Sequence, residues 1–91
     1  MFEARLLIDG TLRSAHAEAT FERVSPTTRE VATRAARASV ADVRTAIEAA
    51  NAAFPAWSQT GPSARRELLL KAARLLREKS AEFEARMAAE T

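Results

Sequence analysis

The chain has 91 residues, room for one domain at most, and a domain of this size hides only about 60–65% of the surface its unfolded chain exposes. Its 14 basic and 12 acidic side chains leave a formal net charge of +2, a balance that argues against nucleic-acid binding, which relies on clustered basic residues. There is no cysteine, which excludes a disulfide, a thiolate nucleophile or a thiolate metal site, and no apolar run approaches the ~20 residues of a membrane helix.

The first apolar run, Leu6 to Ile8, is too short for a signal peptide, so the expected setting is cytoplasmic. The first third reads as short strands. Arg5 to Ile8, then Asp9-Gly10, then Thr11 to Arg13 is the pattern of a tight hairpin, since both central residues of such a turn need positive φ. Thr20 to Val24 sets Phe21 and Val24 among polar neighbours, and Ser25-Pro26-Thr27-Thr28 breaks it as a turn. Glu30 to Arg37 reads as a further strand with Val31, Thr33 and Ala35 on one face, although its alanines also suit a helix.

The rest is helical. Ser39 with Asp42 three residues on resembles a capping box, and behind it Val40, Val43, Ile47, Ala50 and Phe54 repeat at three and four residues. Pro55 predicts the helix end near Phe54, with Trp57 closing that end as an apolar plug. Gly61-Pro62 opens the next helix, whose stripe runs through Leu69, Ala72, Ala73, Leu76, Phe83 and Met87, with Leu68 and Leu75 widening it. Ser80 is expected to cap a second segment after a break near Lys79. The stripe of Val43, Ile47, Ala50 and Phe54 is expected to pack on the one carrying Leu69, Ala73 and Leu76. The fold class is an α+β fragment: a hairpin and short strands over 1–38, then two to three helices over 39–91.

Chemistry-bearing residues are sparse. The two glycines, Gly10 and Gly61, stand far apart, so no glycine-rich loop can approach a pyrophosphate. His16 stands alone, and Asp9 and Glu22 have no paired acid at useful spacing. Ser58, Ser63 and Ser80 have no His or Glu at a spacing that would activate them. Arg65, Arg66, Lys71, Arg74, Arg77 and Lys79 form a basic helix face, read as solvated, with Glu67–Lys71 and Arg74–Glu78 as pairs one turn apart. Trp57, the only Trp, reads as packing between helices rather than as a stacking site. No residue is assigned as catalytic, cofactor-binding or metal-binding.

The order of these features is similar to that of one family. Leu6-Leu7-Ile8-Asp9-Gly10, Thr20-Phe21-Glu22, the turn from Pro26 to Glu30, Ala41-Asp42-Val43, Ala52-Ala53-Phe54-Pro55-Ala56-Trp57, Arg65 to Ala73 and Glu90-Thr91 together resemble the opening of aldehyde dehydrogenases. Thr20 to Arg23, Glu30 to Ala35 and Trp57-Ser58 with Gly61-Pro62 look most like the members that act on aromatic aldehydes such as vanillin or salicylaldehyde. Two positions depart from the family turn: Ser25 stands for the usual Asn, and Arg29 for the usual Gly.

What the resemblance implies is a parent enzyme that converts an aldehyde to a carboxylate with NAD or NADP, working as a homodimer or homotetramer. Residues 1–91 would be the amino-terminal segment of its cofactor-binding domain, lying against the remainder of the fold. The family nucleophile is a Cys, its general base a Glu in a later motif and its dinucleotide site a later domain, so the resemblance places no catalytic role here and implies no cofactor bound by this chain alone. Some members hold a structural cation through carbonyls matching Arg23 and Val24, but their carboxylate ligand matches no position up to Thr91, and no metal is assigned. From the residues alone, a small helical interaction module and a basic nucleic-acid binder stay open as other classes; neither nucleic acid nor a membrane is the expected partner.

Overall fold

Five short strands precede three helices in the computed structural model, which describes Met1 to Thr91: β1 (Phe2–Ala4), β2 (Leu6–Ile8), β3 (Thr11–Arg13), β4 (Thr20–Val24), β5 (Val31–Ala36), α1 (Val40–Ser58), α2 (Pro62–Glu78) and α3 (Ser80–Glu90). The expected hairpin is β2–β3, pairing Leu6 with Arg13, Leu7 with Leu12 and Ile8 with Thr11. Asp9 and Gly10 have φ of 52° and 73°, the two left-handed positions that match the turn to the twist of its strands.

The second sheet runs β1-β5-β4, with β5 parallel to β1 and antiparallel to β4. Strand β1 was not expected. Three residues are too few for alternation to show, and its partner, which sets Phe2 beside Thr33, is remote in the chain. The alanine-rich 30–37 stretch becomes strand because both of its edges find ladder partners, a tertiary effect that outweighs local preference. Burial on β5 is not one-sided as the alternation suggested: Ala32 and Thr33 point to opposite faces and both are buried.

The β4–β5 turn holds Arg29 at φ 63°, the left-handed position where the family pattern has Gly. Its framework is Ser25 N–H donating to Glu30 O and Arg29 N–H to Ser25 O, each at 2.9 Å. The Ser25 hydroxyl accepts from Thr28 N–H at 3.4 Å, so serine supplies the local acceptor while arginine carries a strain of about 1 kcal/mol.

Helix α1 starts as expected. Ser39 Oγ accepts from Asp42 N–H at 3.1 Å, and Asp42 Oδ2 accepts from Ser39 N–H at 2.9 Å. It does not end at Phe54 but continues through Pro55 to Ser58. Proline removes one donor within the last turn, and the carbonyls of Pro55, Ala56 and Trp57 find others. Ser58 Oγ donates to Pro55 O at 2.7 Å, Gln59 N–H to Ala56 O at 3.2 Å, and Arg65 Nη2 to Trp57 O at 2.9 Å. Trp57 is therefore a helical residue and no plug.

Pro62 opens α2 as its first residue, as expected. The break before α3 also falls where expected, at Lys79, whose N–H is shared between Leu75 O and Leu76 O at 3.2 Å each. Ser80 does not cap it; it is the first helical residue, and its side chain accepts no capping bond.

The assembly is a slab of 48 × 33 × 15 Å with a radius of gyration of 16.6 Å, where a compact chain of this length would have about 12 Å. Its accessible surface is 7483 Å², against about 5,200 Å² for a compact monomer of this mass. One layer of elements has nothing behind it, so only Ile8, Ala15, Ala32, Thr33 and Asp42 are buried. The expected packing of the α1 stripe on the α2 stripe is absent: Ile47, Phe54, Leu69 and Leu76 are each more than half exposed. Instead α1 touches β2 and α3 touches β5.

Candidate functional site

An apolar concavity lies between the hairpin and α1. Leu6, Leu7 and Ile8 form one wall and Val43, Ala46, Ile47 and Ala50 the other, around a groove of about 380 Å³. Its one charged lining group is Asp42, and one oxygen of that carboxylate already accepts three hydrogen bonds. Oδ2 accepts from His16 N–H at 2.9 Å, Ser39 N–H at 2.9 Å and Ser39 Oγ–H at 3.0 Å. The amides of His16 and then Ser39 stabilise the charged form and hold the carboxyl below its ordinary value, against the opposing effect of burial. A carboxylate so committed is a structural acceptor, and the groove offers apolar surface with no reactive group.

The remaining residues singled out by sequence are dispersed. His16 lies in a 3-10 turn, exposed, and its backbone amide rather than its ring makes the Asp42 contact. Asp9 sits in the hairpin turn beside Thr45 and Glu48 of α1. Glu22 pairs with Arg34 across β4 and β5 at 3.2 Å. Arg65 leaves the expected basic face: its guanidinium lies 4.9 Å from the Trp57 ring centre, and Nε donates to Thr60 O at 2.9 Å. Trp57 of α1 carries that α2 guanidinium on its face, a contact between the two helices that leaves the residue 44% exposed. Arg74 pairs with Glu78 at 3.9 Å as expected, whereas Glu67 and Lys71 form no ion pair. Ser58 donates to its own helix, and Ser80 lies on open surface with Leu76, Phe83 and Met87. No three His, Asp or Glu side chains converge as a metal site would require.

Sequence reasoning missed the contacts of α3 with the sheet. Arg86 places its guanidinium 4.7 Å from the Phe2 ring centre, donates to Glu3 O at 3.4 Å and pairs with Glu82 at 3.3 Å. Arg23 reaches Glu90 at 3.9 Å. The i,i+4 spacing of Glu82 and Arg86 was readable; the contacts to β1 and β4 depend on how the sheet folds back.

Residues 12–91 match the model of the Aldehyde dehydrogenase family. The chain belongs to that family. As an aldehyde dehydrogenase sequence it is 53% identical over 85 residues to vanillin dehydrogenase from Pseudomonas sp. strain HR199, covering 93% of this chain and 18% of that protein. Its fold superposes on a salicylaldehyde dehydrogenase from Pseudomonas putida G7, solved with salicylaldehyde, at a TM-score of 0.95 and 39% identity, over 99% of this chain and 19% of that one. A second neighbour, PnpE solved with nicotinamide adenine dinucleotide, gives a TM-score of 0.80 and 46% identity over 87% of this chain and 16% of its own. The chain thus spans less than a fifth of the length of these relatives.

Proposed function

We propose that these residues are the amino-terminal part of the cofactor-binding domain of a cytoplasmic NAD(P)-dependent aldehyde dehydrogenase that acts on an aromatic aldehyde, and that their role there is structural. The observation that carries this reading is the fit at a TM-score of 0.95 to a salicylaldehyde dehydrogenase five times longer, by a chain whose own apolar faces are uncovered. A slab with this much exposed Leu, Ile and Phe matches a layer that lies against more protein. The parent reaction oxidises the aldehyde carbon to a carboxylate while NAD(P)⁺ takes up the hydride, with water supplying the second oxygen. Nucleophile, base and dinucleotide site fall outside these residues, and the parent is expected to assemble as a homodimer or homotetramer.

The test compares this chain with one extended to the length of the relatives. Calorimetry with NAD and NADP, and the appearance of NADH absorbance with vanillin or salicylaldehyde, should be silent for the 91 residues and positive for the extended protein. Turnover by the short chain in a clean preparation would overturn the structural role. An extended protein that binds dinucleotide but ignores aromatic aldehydes would overturn the substrate class alone.

A further inference from the structure

The segment joining β3 to β4 contains consecutive non-glycine residues at positive φ, Ala17 at 56° and Glu18 at 54°. An L-residue populates that region roughly tenfold less readily than its right-handed counterpart, so two in a row persist only if something fixes them. Within the turn, Glu18 N–H donates to Ala15 O at 3.0 Å and Ala19 N–H to His16 O at 3.3 Å. Beyond it, Arg37 N–H ties down Ala19 O at 2.8 Å on the β4 side. At the other end the tie is the single oxygen of Asp42, which takes His16 N–H at 2.9 Å, above a buried Ala15.

Capping α1 requires only the reciprocal bonds between Ser39 and Asp42. The bond to His16, 26 positions away, adds nothing to the cap and joins a different element. Asp42 also stands in the wall of the groove between the hairpin and α1, opposite Leu6 to Ile8.

We propose that Asp42 is a latch: its carboxylate clamps the strained 15–18 turn onto the first turn of α1, which makes the strand half and α1 one body and sets the groove between them. Releasing that oxygen lets the turn relax while β4 and β5 stay paired. Asp42 is then a positioning residue, acting on a loop as well as on its own helix.

Amide hydrogen exchange in the intact protein separates latch from cap. Asp42→Ala should speed exchange roughly tenfold or more in two places, at 39–43 and at 16–19, because a bond to a charged acceptor is lost in each. Ser39→Ala removes the hydroxyl but leaves Asp42 Oδ2 its two amides, so it should loosen 39–43 alone. Should Asp42→Ala fail to fold, Asp42→Asn keeps the shape and one acceptor oxygen, and should loosen both segments to a smaller degree. Loosening confined to 39–43 in the Asp42 variants would reduce Asp42 to a helix cap. Equal loosening of 16–19 by Ser39→Ala would show that the turn follows the helix rather than the carboxylate.

Discussion

Residues 1–38 are strands paired in two small sheets and residues 39–91 are helices, and most of the burial lies in the first region. Four of the five buried residues, Ile8, Ala15, Ala32 and Thr33, belong to the strand half, where β5 is paired on both edges. In the helical half Asp42 alone is buried, and α2 and α3 bury nothing. A helix closes its hydrogen bonds within itself, so it can form while its apolar face stays bare. A strand closes them only with a neighbour, and that neighbour brings some burial with it. The helices of this chain are therefore well formed and under-packed, and their tertiary stabilisation must come from whatever covers them.

Phe54 should expose that difference most sharply. It is 64% exposed here, so Phe54→Ala should cost less than about 1 kcal/mol in the 91-residue chain, but roughly 3–5 kcal/mol in a protein extended to the relatives' length. Chemical denaturation of both would check it, and equal losses would mean that the α1 stripe faces solvent in both. In the strand half, Gly10→Ala should cost about 1–2 kcal/mol, since a Cβ at φ 73° is strained although no atom lies near enough to clash. Arg29→Gly should go the other way, by up to about 1 kcal/mol, by relieving φ 63° in the β4–β5 turn. A stabilising Gly10→Ala would show that the hairpin turn is free to change type.

Ser39→Ala should lower stability by about 1 kcal/mol, read as a lower melting temperature, because the Asp42 amide loses its acceptor. Acid probes the same junction. The folded carboxyl of Asp42 is held below its unfolded value near 3.9, so its contribution is present above that value and is lost as pH falls through the lower folded one. Melting temperature followed down through that window should therefore decline less steeply in Asp42→Asn than in the unaltered chain. The smallest effect belongs to Glu22→Gln. Its ion pair with Arg34 is nearly half exposed on both sides, and its loss should cost no more than about 0.5 kcal/mol, shrinking further in salt. A loss above 2 kcal/mol would mean that the strand half relies on this pair more than on its ladders.

Wherever a few adjacent residues decide the outcome, the sequence alone was sufficient. Asp9-Gly10 specified its turn through two positive φ values, Ser39 and Asp42 their capping box, and Pro62 a helix start. The ordered motifs from Leu6 to Thr91 likewise carried the family. Tertiary structure decided the rest, because those outcomes depend on partners remote in the chain. Strand β1 exists through Thr33 to Ala35, and the 31–36 stretch is strand rather than helix because two neighbours pair with it. Helix α1 runs past Pro55 with its last turn tied by Ser58 and Gln59 and also by Arg65, eight residues after Trp57. The apolar stripes of α1 and α2 show which faces must be covered, since spacing fixes the face, but spacing cannot name the cover. In this chain the two stripes point to space that neither fills.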